Sequence, residues 1–312
     1  MNLGCILVNA YILHAGWKLK PQPEPYIMFN TQGSEQENML ILKPGENITI
    51  RVKPNQEKIC VGFHSASGKH IPCKTAELIP LNKVQCQRCS LSEFYICKAI
   101  CQGDFCHPSS EEAKELCWKT PANVYLTHIA GKIKVGSSTG TLRRWIRQGS
   151  DAGIRIAEGV GLAPRALEHQ ISTKFSLPLA IRTSQKMKFI GKKIDKDNIT
   201  KQLNSLINEI YKTMKSEILI PKKDLEPITF LDKFFSEIPS MNVQPLVLKL
   251  DKTGLDLSGK IVGVKGSILV VKNVETYFAL PLNPLVGIQA HLSQEYEEMK
   301  GQKSLFDFVQ ND

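Results

Sequence analysis

No stretch of this 312-residue chain approaches the roughly 18 consecutive apolar residues that cross a bilayer, which excludes a membrane-spanning helix as the organising element. The apolar run from Leu3 to Leu13 has no preceding Lys or Arg and is interrupted by Asn9, so it reads as a β-strand rather than a secretion signal. Internal repeats are missing, which removes solenoid and propeller architectures. No Cys–His pair sits in a setting that suggests a catalytic thiol. Acidic residues are outnumbered: 30 Asp and Glu stand against 40 Lys and Arg, a formal charge of +10. That balance favours a polyanionic partner, because cations that neutralise phosphates release condensed counterions.

What is present is ordinary globular material, 42% apolar and 22% charged, in a chain too long for one hydrophobic core. The expected class is a multidomain α+β protein. Residues 1–64 alternate apolar and polar positions between Pro, Gly and Asn clusters and predict a β-rich domain. Residues 65–120 form a cysteine-rich segment and 121–192 an α/β module. Residues 193–240 have helical spacing over Ile199 to Ile218 and Leu225 to Ile238, and residues 241–298 return to Gly-punctuated strands that suggest a small β-barrel.

Eight of the nine cysteines, all but Cys5, run from Cys60 to Cys117, with few apolar residues around them. Such density without a core points to metal and a reducing, cytoplasmic setting, and the nucleic-acid partner that the charge favours would make it nucleoid-associated. Cys86-x2-Cys89 followed by Cys101-x4-Cys106 offers two close pairs of thiolates, a set suited to one tetrahedral structural zinc. Cys60, Cys73, Cys97, His70 and His107 stand as alternates. Pro108 and the run Ser109-Ser110-Glu111-Glu112 mark a helix start reaching towards Cys117, an order that resembles a treble-clef finger.

From Asn123 the chain reads as a β-hairpin turning at Gly131, then a helix, and a further helix from Pro164 to Phe175. Along it stand Val124-Tyr125, Lys134-Val135-Gly136, Arg144 ten positions beyond Lys134, and Glu168. In this order and spacing the segment from Val124 to Ile171 resembles the GIY-YIG endonuclease superfamily. Lys134 replaces the Tyr of most members, a substitution that some branches share, and Gln148 stands where His or Tyr is common. The resemblance implies metal-dependent hydrolysis of a phosphodiester. Glu168 would bind one Mg or Mn, Arg144 would meet developing negative charge, and Tyr125 and Lys134 would position or deprotonate the attacking water. A partly buried Lys134 beside Arg144 is expected to have a lowered pKa. Lys132, Arg143, Arg147 and Gln148 are the candidate nucleic-acid contacts. The whole layout also resembles an uncharacterised domain family found in archaea and bacteria.

The last residues, 299–312, contain Gln302, Leu305, Phe308 and Val309 in a pattern similar to the PCNA-interacting peptide (PIP box), in which one helical turn presents an apolar plug. A clamp of that type implies archaeal or eukaryotic replication machinery, and the zinc-bearing layout favours the archaeal. The leading expectation is thus a structure-specific DNA endonuclease recruited by the PCNA sliding clamp to branched or damaged DNA. A non-catalytic, PCNA-tethered DNA-binding adaptor and an RNA-binding or RNA-processing factor are the alternatives.

Overall fold

The computed structural model describes residues 7–19, 21–31, 36–65, 67 and 69–299. In chain order its elements are β1 (Leu7–Lys18), β2 (Glu24–Thr31), β3 (Glu37–Ile41), β4 (Asn47–Val52) and the two-residue strands β5 (Lys58–Ile59), β6 (Phe63–His64), β7 (His70–Ile71) and β8 (Leu78–Ile79). The helices α1 (Gln87–Ser92) and α2 (Glu111–Lys119) follow, then β9 (Ala122–Ile129), β10 (Lys132–Ser138), α3 (Thr141–Gln148), β11 (Ala152–Gly159), α4 (Ala163–Lys174), α5 (Thr183–Met187) and α6 (Lys196–Thr213). The chain closes with β12 (Thr229–Phe230), β13 (Leu246–Val247), β14 (Leu255–Lys265), β15 (Ile268–Asn273), β16 (Thr276–Pro281) and β17 (Gln289–Ser293). The class is mixed α+β and rich in strands. Among the described residues no helix is long and apolar enough to cross a membrane.

Two sheets dominate. The larger has nine strands in the order β13-β16-β15-β14-β4-β17-β1-β2-β3, so strands from both ends of the chain interleave. This corrects the expectation of a β-rich domain at 1–64 separate from a small barrel at 241–298: β4 lies between β14 and β17 and is hydrogen-bonded to both. Alternating burial marks a strand but does not name its partner, which is why local periodicity suggested two units. β14 joins the two halves of this sheet, pairing with β4 over Leu255–Lys260 and with β15 over Lys260–Lys265.

The smaller sheet, β10-β9-β11-β12, carries α4 and α6 on one face. Val124, Leu126, Val135, Ile154 and Ile156 pack there against Leu167, Ile171, Leu203, Ile207 and Ile210. Its other face packs on α3, whose Trp145 and Ile146 belong with Tyr125 to the core of the nine-stranded sheet. Two close approaches allow this. Gly153 lies under the Trp145 indole, where an added Cβ would meet ring atoms at 2.7 Å, and Gly149 ends α3 at φ 71° against Gly266 of the β14–β15 turn. Trp17 of β1 donates its indole N–H to the Gly266 carbonyl at 2.7 Å and ties the same corner.

α4 and α6 match the helices predicted from spacing. Leu225 to Ile238 does not form the expected helix: it contains β12 and short 3-10 turns at Asp232–Phe234 and Ile238–Ser240. Leu231, Phe235 and Ile238 are buried there by turns rather than by one helical face.

Candidate active cleft and metal cluster

β10 is an outer strand, and the candidate cleft straddles its free edge. Tyr125 lies directly opposite Gly136, and Lys134 opposite Thr127, so Tyr125, Lys134 and Gly136 share one face of the hairpin. Ser137 points the other way, towards α4, where its hydroxyl donates to Glu168 Oε2 at 2.6 Å. The two sets meet in a cleft of about 540 Å³ whose lining includes Tyr125, Lys134, Gly136, Ser137, Arg144 and Glu168. The four residues named from the sequence as catalytic therefore converge on one cleft. Arg165, His169, Lys98 and Cys101 complete much of its wall.

Gly136 is required by this geometry, since a Cβ at that position would lie 2.5 Å from the Tyr125 hydroxyl. Tyr125 is buried, edge-on to Trp145 with ring centroids 5.9 Å apart. Burial raises its phenol pKa, with the Glu168 charge acting in the same sense and Arg144 and Gln148 opposing. Lys134 is also buried, its Nζ 5.9 Å from the centre of the Tyr125 ring. Burial and the nearby Arg144 charge lower it to about 8, with Glu168 pulling in the opposite direction and Lys186 and Arg165 adding to the decrease. Arg144 is exposed at the first turn of α3.

Glu168 is buried on α4, and Arg165, one turn earlier, donates to its Oε2 at 3.0 Å. Arg165 was absent from the sequence-derived site although its i,i+3 spacing from Glu168 makes the pair legible on a helix. Ser137 follows Gly136 directly and was equally within reach. Lys98 and Cys101 come from the cysteine-rich segment, and nothing in their local pattern signals a cleft. Of the proposed nucleic-acid contacts, Arg143 and Arg147 line a second cleft beyond α3, and Gln148 and Lys132 line neither cleft.

The cysteine cluster differs from the set expected to hold zinc. Cys60, Cys73, Cys86 and Cys89 place their sulfurs within 4.8 Å of one another, and Cys60, Cys86 and Cys89 are buried. Cys86 and Cys89 were expected, and Cys60 and Cys73 were alternates; Cys101 and Cys106 are outside this group, as is Cys97. The reason is pairing over distance. β5 pairs with β8 and β6 with β7, a double hairpin that carries Cys60 and Cys73 to either side of its neck. Gly62 at φ 113° passes so close to the Ile71 carbonyl that any Cβ would clash. Cys86 caps α1 by accepting the Cys89 N–H at 3.5 Å, the short turn that lets two sulfurs face one point.

Four thiols so close fit a divalent cation, and two of them resist ionising without one. Burial raises Cys60, and burial with the adjoining Cys86, Cys60 and Cys73 thiols raises Cys89. Cys73, although burial opposes it, is lowered to about 6 by hydrogen bonds from Thr75 and Glu77. Zinc at about 2.3 Å from each sulfur would offset half the charge of four thiolates and draw the sulfurs closer together than they stand here.

Residues 45–277 match the family described as "Protein of unknown function (DUF2797)". The chain belongs to this family. The matched span contains both the cysteine cluster and the Glu168 cleft. No curated protein and no solved structure matches the chain. Gln302, Leu305, Phe308 and Val309 lie beyond the matched span and outside the described residues.

Proposed function

We propose that the Glu168 cleft binds and hydrolyses a nucleic-acid phosphodiester, as a structure-specific DNA endonuclease of GIY-YIG type. The supporting observation is the convergence of Tyr125, Lys134, Arg144 and Glu168 on one cleft from four separate elements, β9, β10, α3 and α4. With a raised pKa, Tyr125 is a neutral phenol at pH 7 and orients water as a hydrogen-bond partner. Lys134, lowered to about 8, is the group placed for general-base work near neutral pH. In the proposed step a water proton passes to Lys134 Nζ and the water oxygen bonds to phosphorus. The P–O bond to the leaving strand breaks with its electron pair on that oxygen, which takes a proton from solvent. Arg144 balances the charge gathering on the phosphoryl oxygens.

Among the described residues Glu168 is the one carboxylate lining this cleft, and Arg165 and Ser137 both engage Oε2, so Oε1 is the oxygen these two contacts leave for a divalent ion. Mg or Mn held through one carboxylate, with water and substrate phosphate as the remaining ligands, is compatible with such a donor set and would supply positive charge at the leaving oxygen. The Arg165–Glu168 contact also favours a second reading, a DNA-binding adaptor without catalysis in which the carboxylate only orders Arg165. Incubating nicked, flapped and branched duplexes with Mg²⁺ or Mn²⁺ separates the two. Cleavage abolished by Glu168→Gln supports the enzyme. Binding of all three substrates with no product under either metal supports the adaptor.

Recruitment by a sliding clamp belongs to the same proposal, through Gln302, Leu305, Phe308 and Val309. Titrating a 299–312 peptide into PCNA should give saturable binding that Phe308→Ala removes; heat signals indistinguishable from buffer would discard this part.

A further inference from the structure

We propose that a second phosphate-binding cleft, on the far side of Arg144 from Glu168, holds the nucleic-acid strand where it leaves the first; this rests on the phosphodiester reading above. The second cleft encloses about 630 Å³ and has Arg143, Arg144 and Arg147 of α3 on one wall and His14, His64 and His70 on the other. Arg144 lines both clefts, and Ser137 in one adjoins Ser138 in the other, so they are neighbours along one rim.

The histidine wall is assembled with some care. β1 slips register against β2 between Ile12 and His14, a bulge of the kind that re-aims a side chain. Gly16 leaves room for the redirected ring, since a Cβ there would lie 2.6 Å from His14 Cε1. His14 stacks on Tyr26 at 5.7 Å, His64 stands 6.2 Å from His14, and His70 stands 5.7 Å from His64. His64 and His70 sit on the β6–β7 hairpin, whose base is the Cys60–Cys73 pair. The metal cluster therefore braces one wall of this cleft.

Charge identifies the occupant. The acids near the histidines are already engaged: Glu37 with His70 at 3.0 Å and Glu93 with His64 at 3.6 Å. Among the described residues no carboxylate lies within ion-pair distance of Arg143, Arg144 or Arg147. The crowding is felt at His14, where burial first, then Arg147, His64, His70 and Arg143, depress the pKa to about 4. Its neutral Nε2 faces an Arg147 N–H at 3.4 Å. Arg143 and Arg144 also occupy the first turn of α3, where the helix dipole disfavours cations. Guanidiniums gathered without a counter-charge match phosphate oxygens. A rim shared by two clefts suits a polymer, whereas a free polyphosphate would fill only one.

The test is DNA binding measured by fluorescence anisotropy with no added Mg²⁺ or Mn²⁺, across a salt series, for the wild type, Arg147→Gln, Arg143→Gln and His64→Gln/His70→Gln. Each Arg variant should lower the salt slope for long branched DNA by about 0.9 per lost phosphate contact, while a short oligonucleotide that fills one cleft loses much less. Tripolyphosphate should compete poorly. Unchanged affinity and slope in both Arg variants would overturn the proposal, as would tripolyphosphate binding that depends on Arg147 while DNA binding does not. Should Arg147→Gln weaken DNA binding although no substrate is ever cut, hydrolysis fails and this cleft stands. Should cleavage be seen with affinity and slope unaltered in the Arg variants, the reverse holds.

Discussion

The smaller sheet and the larger sheet are built in opposite ways, and their contrast explains which chemistry each supports. Three of the four strands of the smaller sheet, with α3 and α4, come from one continuous run, Ala122 to Lys174, so the four candidate catalytic residues are neighbours in sequence, and Lys98 and Cys101 join their cleft from outside that run. The larger sheet pairs β1 with β17 and β4 with β14, and the histidine wall and cysteine cluster hang from its connections. Short loops let the first fold around its own core, whereas the second gains its contacts only after long loops close.

The largest expected effect sharpens the long-range side. Removing zinc, or replacing Cys86 with Ser, should release the double hairpin, since structural zinc sites have apparent binding free energies of about 10–16 kcal/mol. Metal analysis and hydrogen exchange over residues 58–93 are the readouts. Cys106→Ser should retain this metal, and its loss from that variant instead of from Cys60→Ser would restore the set expected from sequence.

Next in size is the bond between the two regions. Asp151, at the end of α3, accepts from His128 Nδ1 at 2.9 Å and pairs with Lys265 of β14. Asp151→Ala leaves Lys265 without its buried counter-charge and should cost about 3–5 kcal/mol in urea unfolding. Burial alone would raise the Asp151 pKa, but Lys265 and His128 outweigh it and the group is lowered. Its stabilisation is therefore fully present above the unfolded pKa near 3.8 and is lost as pH falls through the lower folded value. A flat acid limb in stability against pH would break the link.

A smaller effect, confined to the local side, is expected from Gly136→Ala. Displacing the Tyr125 ring should cost about 1–3 kcal/mol and reduce any cleavage more than it reduces DNA binding. Equal losses in both would make Gly136 a packing residue only. For Lys134, cleavage should rise with pH towards a midpoint near 8, as the amine becomes neutral, and Lys134→Arg should flatten the profile. The smallest change is Trp17→Phe, which removes the hydrogen bond to Gly266 and should cost about 1 kcal/mol by denaturant titration, without altering either cleft.

Much of the local side was legible. The hairpin turning at Gly131, α3 and α4 follow from two-residue and near-four-residue periodicities within one short stretch, while the four residues of the cleft come from the resemblance of that stretch to the GIY-YIG superfamily. Arg165 and Ser137 were within reach of the same reasoning. The failure at Leu225 to Ile238 is instructive in the opposite sense, because its apolar spacing is satisfied by successive turns that bury Leu231, Phe235 and Ile238 against the larger sheet.

By itself the order of residues determined a basic chain with a cysteine-dense segment and a compact hairpin–helix module carrying Tyr125, Lys134, Arg144 and Glu168. Only the tertiary structure decided that Cys60 and Cys73 join Cys86 and Cys89, that both ends of the chain share a sheet, and that His14, His64 and His70 face Arg147. Side-chain period is a property of the local backbone and is written in neighbouring residues. Strand partnership is a choice among distant edges with the same hydrogen-bonding groups, and it is settled only when the whole core closes.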